Sequence, residues 1–188
     1  MEQAKQIIAI GGSAGSYDLI LAIMETLPLS FSQAICCVIH RNPNYETQIE
    51  TSLSEKLNRN IISVIDKTTI KKNNIYFAPP GYHLLVEPDY TFSLDTSEPV
   101  NYSRPSIDVL FETAAEIYRN NCMAILLSGA NTDGSKGITK ILENGGKAWI
   151  QNPDEAAINT MPLHGMRRNP TASIRSTSDI ISYFSELK

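Results

Sequence analysis

The sequence predicts one α/β domain: a doubly wound, mostly parallel sheet with helices on both faces and an antiparallel hairpin. Two observations predict this fold class. Apolar runs of strand length alternate with amphipathic stretches of helix length over residues 6–65 and again over 105–150. A length of 188 residues, with 42% hydrophobic and 19% charged residues, suits one sizeable core. We therefore expect residues 1–188 to form a single domain.

The first third of the chain alternates strand and helix signals. Buried strands are predicted at residues 6–10 and 34–39, and a shorter strand at 61–65. Amphipathic helices are predicted between them, over residues 16–26 and 45–57. This alternation is typical of strands that lie parallel in one sheet.

The middle of the chain is different in kind. A short strand is predicted at residues 75–78, followed by a turn of two prolines and a glycine. Residues 84–87 and 90–94 flank a Pro-Asp pair and are predicted to form an antiparallel hairpin. A polar loop, residues 95–104, follows the hairpin.

The strand–helix alternation then resumes. We expect a helix over residues 105–118, a strand at 123–127, a helix over 134–143 and a strand at 147–150. Beyond these elements the chain is predicted to be rich in loops with short helices, and Ser178 is predicted to cap a final helix.

Charge and composition exclude several function classes. A net charge of −4 and an isoelectric point near 5.4 lack the basic surface of a protein that binds nucleic acid or an anionic membrane. No stretch has the pattern of a signal peptide or the length of a membrane span. The three cysteines lack metal-site spacing and are expected to be small buried residues. We expect a cytoplasmic protein without metal or organic cofactor.

Residues 11–15, which follow the first predicted strand, read Gly-Gly-Ser-Ala-Gly. The pattern Gly-x-Ser-x-Gly places a serine, here Ser13, on a sharp turn from strand to helix. A serine in such a turn is a candidate nucleophile if a histidine and a carboxylate lie nearby. The same pattern is also typical of a turn whose serine only caps the next helix.

Two further side chains follow predicted parallel strands. His40 ends the strand at residues 34–39, and Asp133 lies in the glycine-bounded loop after the strand at 123–127. Because the carboxyl ends of parallel strands share one sheet edge, both residues are candidate partners of Ser13. Alternatively, His40 only closes its strand and Asp133 caps the following helix. His83 and His164 follow no parallel strand and are expected to be structural or to contact substrate.

The chain order Ser, His, Asp differs from that of the α/β hydrolases, in which the histidine comes last. The order and its surroundings resemble the catalytic domain of the CheB-type protein-glutamate methylesterases. Six motifs occur in the family's order: Ile-Ala-Ile-Gly-Gly-Ser-Ala-Gly at 8–15, Val-Ile-His at 38–40, Ala-Pro-Pro-Gly-Tyr-His-Leu-Leu at 78–85, Arg-Pro-Ser-Ile-Asp-Val-Leu-Phe at 104–111, Leu-Ser-Gly to Asp-Gly at 127–134, and Gln-Asn-Pro at 151–153 followed by Ala156 and Met-Pro at 161–162.

The resemblance implies a catalytic triad of Ser13, His40 and Asp133. It also implies a serine esterase that removes methyl groups from glutamates of chemoreceptors or related signalling proteins, with deamidation of receptor glutamine as a second activity. The family's usual partner is an N-terminal receiver domain, and none is expected here because the first catalytic strand begins at about residue 6. The alternative within this fold is a scaffold with little or no catalytic activity.

The chain departs from the family pattern near the implied site. Residues 13–16 read Ser-Ala-Gly-Ser where the family commonly has Ser-Thr-Gly-Gly, and 129–131 read Gly-Ala-Asn in place of Gly-Met-Gly. Backbone N–H groups donate hydrogen bonds whatever the side chain, so Ala14 and Ala130 are the candidate oxyanion donors. Arg41 is predicted to be a solvated charge rather than a contact for an acidic partner. The first glycine loop matches no nucleotide-binding pattern.

Overall fold

The computed structural model of the protein describes residues 2–41 and 49–188. A seven-stranded parallel sheet forms its centre, with a separate antiparallel pair beside it. The strands are β1 (Ile7–Gly12), β2 (Ala34–Ile39), β3 (Ile61–Ser63), β4 (Asn74–Phe77), β5 (His83–Val86), β6 (Phe92–Asp95), β7 (Cys122–Leu126), β8 (Lys147–Gln151) and β9 (Ser173–Arg175). The parallel sheet has the order β3-β4-β2-β1-β7-β8-β9, and β5 pairs with β6.

Helices cover both faces of the sheet. They are α1 (Tyr17–Thr26), α2 (Ile49–Leu57), α3 (Ile107–Tyr118), α4 (Ser135–Glu143), α5 (Thr160–Arg168) and α6 (Thr177–Ser185). Successive residues of a strand point to opposite faces. In β1, Ile7 and Ala9 therefore pack with α3, α4 and the hairpin, whereas Ile8 and Ile10 pack with α1, α2 and α6. This arrangement confirms the predicted fold class.

Most element boundaries differ from the predictions by one or two residues, and three predictions need correction. The strand predicted at residues 61–65 ends at Ser63, and β9 was not predicted at all. The final helix is capped by Ser176, so the prediction of Ser178 is wrong. Ser176 Oγ accepts a hydrogen bond from the backbone N–H of Asp179, whose carboxylate accepts one from Ser176 N, a reciprocal pair that fixes the helix start.

The helix predicted over residues 45–57 corresponds to α2 (Ile49–Leu57), and residues 45–48 of that prediction lie outside the described residues. None of the described helices is long and apolar enough to cross a membrane.

The sheet order brings three strand ends together. β1 lies between β2 and β7, with Gly12 opposite Ile39 and Gly11 opposite Leu126. All three strands are buried along their whole length, which explains their nearly continuous apolar sequences. The loops that follow them therefore emerge at one edge, where open α/β sheets bind ligands.

Candidate active site

Ser13 follows directly on β1, in a tight turn that leads into α1. Its backbone carbonyl accepts hydrogen bonds from Ser16 N at 3.1 Å and Ser16 Oγ at 2.7 Å. Gly15 has a φ of +79°, and a Cβ there would lie 2.6 Å from Ala157 Cβ, so only glycine suits the turn. The N-cap residue of α1 is Ser16. The alternative in which Ser13 caps the helix is therefore wrong.

His40 stands beside Ser13 on the neighbouring strand. Its backbone N–H donates to Gly12 O at 3.1 Å, continuing the ladder in which Gly12 faces Ile39. Ser13 and His40 thus occupy equivalent positions at the ends of two parallel strands, about 4.8 Å apart in such a sheet. The His40 side chain is 12% exposed, and its Nε2 lies 2.8 Å from Asp133 Oδ2.

The Asp133 side chain is fully buried at the start of α3. Its Oδ2 accepts the backbone N–H of Ile107 at 2.7 Å, and its Oδ1 accepts that of Asp108 at 3.1 Å and the hydroxyl of Ser106 at 2.9 Å. Asp133 thus satisfies the N-terminus of α3, where backbone N–H groups favour an anion. The N-cap position of α4 is Gly134. The alternative in which Asp133 caps its own following helix is therefore wrong.

These contacts set the charge of the carboxylate. Burial alone raises the pKa of Asp133, because it disfavours the charged form. The hydrogen bond with His40 and those from the Ile107 and Asp108 backbone lower it by more, and the pKa of Asp133 lies below its ordinary value. Asp133 is therefore an anion at neutral pH, held where it orients the His40 ring.

A second buried carboxylate, Asp108, lies next to Asp133. The amide of Asn101 joins the two, because its Nδ2 donates to Asp108 Oδ2 at 2.9 Å and to Asp133 Oδ1 at 3.2 Å. Asp108 Oδ1 accepts the backbone N–H of Gly137 at 2.7 Å. Burial raises the pKa of Asp108 to about 6, and the neighbouring Asp133 charge adds to this effect.

The loops after β1 and β7 are joined through Ser128. Its carbonyl accepts the backbone N–H of Ser13 at 2.9 Å, and its hydroxyl donates to Ala14 O at 2.9 Å. Ala14 and Ala130 are both exposed. Within the part of the chain that the structure describes, neither of their backbone N–H groups forms a hydrogen bond.

The structure brings two of the three predicted residues into contact. His40 and Asp133 are hydrogen-bonded, whereas no hydrogen bond among the described residues joins Ser13 Oγ to His40. The Nδ1 atom of His40 instead lies 3.3 Å from Ser103 Oγ. Asn101 and Ser103 were missed because they sit in a polar loop whose composition carries no periodic signal.

The two other histidines lie away from this contact. His83 is buried, and its ring nitrogens face Glu98 O at 3.1 Å and the backbone N–H of Ser106 at 3.2 Å. These bonds give it a structural part in holding the start of α3. His164 lies on α5 rather than in a loop. No cluster of three or more potential metal ligands occurs among residues 2–41 and 49–188.

Arg41 corrects a further prediction. Its guanidinium pairs with the Glu50 carboxylate at 2.6 Å and donates to Ala78 O at 2.7 Å, and the side chain is 4% exposed. Arg41 is therefore a buried, paired cation and not a solvated charge. It ties the end of β2 to α2 and to the end of β4.

Comparison with known proteins decides the family. The family model for CheB methylesterase matches residues 8–183, nearly the whole chain. The chain belongs to the CheB methylesterase family. The crystal structure of the Thermotoga maritima CheB methylesterase catalytic domain superposes with a TM-score of 0.89 at 25% sequence identity, covering 99% of each chain.

Relatives in sequence agree. One from Leptospira interrogans is 41% identical over 182 residues, which covers 97% of this chain and 94% of the relative. A protein-glutamate methylesterase/protein-glutamine glutaminase from Methanospirillum hungatei is 32% identical over 162 residues, 86% of this chain and 46% of the relative. Membership of the CheB family thus rests on sequence and on fold together.

Proposed function

We propose that this protein is a serine esterase that hydrolyses glutamate methyl esters on a methylated chemoreceptor or related signalling protein. Ser13 is the nucleophile, His40 the general base and Asp133 the carboxylate that orients His40. The observation that carries the proposal is the 2.8 Å contact of His40 Nε2 with the buried Asp133, at a strand end adjacent to Ser13. The activity in the names of the relatives supports the same reaction.

The contact of His40 with Asp133 supports one placement of the ring protons. Asp133 is ionised and only accepts, so His40 Nε2 carries a proton and Nδ1 is left as the basic nitrogen. As Ser13 Oγ bonds to the ester carbonyl carbon, its proton moves to Nδ1. The C–OCH₃ bond then breaks, and Nδ1 returns the proton to the leaving methoxide, which departs as methanol.

Water completes the cycle. Nδ1 takes a proton from a water molecule that attacks the acyl-enzyme. The Oγ–carbon bond then breaks as Nδ1 returns the proton to Ser13 Oγ, which releases free glutamate and restores the serine. The exposed backbone N–H groups of Ala14 and Ala130 are the proposed donors to the carbonyl oxygen in both steps. Deamidation of glutamine follows the same route, with ammonia in place of methanol.

The proposed catalytic unit is the single domain of residues 1–188, because Ser13, His40 and Asp133 all follow strands of one sheet. No organic or metal cofactor enters these steps. The cytoplasm is the proposed location, and the three unpaired, buried thiols fit a reducing compartment.

Methanol release from a methylated receptor signalling domain tests the proposal. Wild-type protein should release methanol, and Ser13→Ala should lower the rate by at least about 10³-fold, since the nucleophile is lost. Ser182→Ala, which removes an exposed hydroxyl on α6, is the matched control and should keep the wild-type rate. Equal release by wild type and Ser13→Ala would instead support a non-catalytic scaffold.

A further inference from the structure

Ser103 lies against the basic nitrogen of His40 and is held there by a rigid turn. Residues 100–103 form the turn, in which Val100 and Ser103 exchange backbone hydrogen bonds of 3.1 and 2.9 Å. Asn101 and Tyr102, its two central residues, have φ values of +49° and +62°. Two positive φ values define a type I′ turn, one of the tightest connections that a chain forms. The Ser103 side chain is thus placed by its backbone, and only 8% of the residue is exposed.

Asn131 restricts the directions in which the Ser103 hydroxyl donates. Asn131 Oδ1 accepts the backbone N–H of Asp133 at 3.2 Å, so its Nδ2 is the end that faces Ser103. That Nδ2 donates to Ser103 Oγ at 3.0 Å. One lone pair of Oγ is therefore occupied, and the Ser103 proton has two acceptors within reach, His40 Nδ1 at 3.3 Å and Asn101 O at 3.4 Å.

The His40 ring is consequently held from both sides. Nε2 donates to the ionised Asp133, and Nδ1 accepts from Ser103. When the ring of the resting enzyme is protonated, the same hydroxyl accepts a hydrogen bond from the Nδ1–H group, because a hydroxyl is both donor and acceptor. In the resting enzyme the contact therefore fixes the angle of the ring about the bond to Asp133. Because Nδ1 has a single lone pair, Ser103 gives up this contact when Ser13 transfers its proton to Nδ1.

We propose that Ser103 is a positioning residue, which holds the His40 ring in the resting enzyme and yields Nδ1 to Ser13 when Ser13 attacks the ester. Asn131 supports it from behind through the bond to Oγ. The proposal rests on the proposed function for its kinetic consequence, but the contact of Ser103 with His40 is testable without any substrate. Ser103 lies in the loop between two of the sequence motifs, directly before the Arg-Pro-Ser motif at 104–106.

Two comparisons separate the hydroxyl from the shape of the side chain: Ser103→Ala with Ser103→Thr, and Ser103→Val with Ser103→Thr. Ser103→Ala removes the hydroxyl, while Ser103→Thr keeps it; Ser103→Val has the shape of threonine without the hydroxyl. Ser97→Ala, in the same polar loop, is the control, because among the described residues the Ser97 hydroxyl forms a hydrogen bond only with Asp95. Steady-state kinetics of methanol release should show kcat about tenfold lower for Ser103→Ala and Ser103→Val, with KM unchanged. Ser103→Thr and Ser97→Ala should stay near wild type.

Nitrogen-15 NMR of the His40 ring provides the second measurement. In wild type, Nε2 should carry the proton and Nδ1 should resonate as an unprotonated nitrogen that accepts a hydrogen bond. The Nδ1 resonance should move toward that of a free lone pair in Ser103→Ala and Ser103→Val, but not in Ser103→Thr. If Ser103→Ala does not fold, the comparison of Ser103→Thr with Ser103→Val is enough to test the contact of Ser103 with His40.

Each result supports or overturns the proposal. A wild-type kcat for both Ser103→Ala and Ser103→Val, or an Nδ1 resonance that none of the variants moves, would overturn it. A rise in KM with unchanged kcat would also overturn it, since the residue would then contact substrate. If wild-type protein releases no methanol, the proposed function fails. The NMR measurement still tests the contact of Ser103 with His40, because it needs no substrate.

Discussion

The Asp133 carboxylate performs two tasks with one pair of oxygens. It accepts the first backbone N–H groups of α3 and orients His40 from the other side. Both tasks need the anion, and the α3 N-terminus helps to keep it ionised. A buried carboxylate without such donors would shift its pKa upward and lose its hold on the histidine.

The pKa of the neighbouring Asp108 is raised, whereas that of Asp133 is lowered. The titration of Asp108 gives a pH-dependent prediction. Its pKa is raised from 3.8 to about 6, so the folded protein binds the proton more tightly than the unfolded chain between these values. The contribution of Asp108 to the free energy of unfolding is therefore fully present at low pH and declines as the pH rises through this window. Asp108→Asn keeps an acceptor for Gly137 N but removes the ionisation.

Urea unfolding at pH 4 and pH 7 measures the effect. The stability of wild type relative to Asp108→Asn should fall by about 2 kcal/mol between these pH values. Asp154→Asn, on an exposed loop, should show no such pH-dependent difference from wild type. Parallel pH curves for wild type and Asp108→Asn would contradict the assignment of the raised pKa to Asp108.

At the scale of elements, the contact of α3 with α4 supports the site. A Cβ on Gly137 of α4 would lie 2.5 Å from Phe111 Cβ and 3.2 Å from the backbone Cα of Asp108, both on α3. The absence of a side chain lets the helices approach and lets Gly137 N reach the Asp108 carboxylate. The spacing of these helices thus fixes the network of Asp108, Asn101 and Asp133.

Gly137→Ala tests this packing. Alanine favours a helix by up to about 1 kcal/mol, but overpacking against α3 costs about 1–3 kcal/mol, so we expect a net loss of about 1–2 kcal/mol. Methanol release should fall as well, because α3 carries the donors to Asp133. Lys136→Ala, exposed on the same helix, should leave both quantities unchanged. Urea midpoints and release rates that match wild type for Gly137→Ala would contradict the close approach.

The elements also show what the sequence was able to predict. Buried strands such as β1, β2 and β7 have continuous apolar sequences, and local periodicity is enough to find them. Ser13, His40 and Asp133 were found because each follows such a strand. β9 was missed because it has three residues, none of them buried. The bridging role of Asn101 depends on distant chain segments and leaves no local signal.

At the scale of the whole molecule, packing on both faces of the sheet buries the three cysteines and the apolar side chains of the central strands. Cys36, Cys37 and Cys122 lie in β2 and β7 and are at most 2% exposed. Burial raises the pKa of all three thiols, that of Cys122 to about 12. A thiol must be exposed and ionised to react, so these cysteines report on opening of the sheet.

Labelling with a thiol reagent should therefore follow global unfolding. In the time that denatured protein needs to react at all three thiols, native protein at pH 8 should react at fewer than one thiol per molecule. Sub-denaturing urea should accelerate labelling in parallel with the loss of folding free energy. Rapid labelling of native protein would show that the central strands open locally.

The expectation of small buried cysteines came from sequence and is confirmed by their burial.

The central claim is that Ser13 is the nucleophile activated by His40 and Asp133. Reaction with a fluorophosphonate, followed by mass spectrometry of the peptides, tests it most directly, because such reagents phosphonylate an activated serine. We predict one adduct, on Ser13, that forms at least about 10³-fold more slowly in His40→Ala. An adduct on another serine, or labelling of Ser13 at the same rate in wild type and His40→Ala, would contradict the claim.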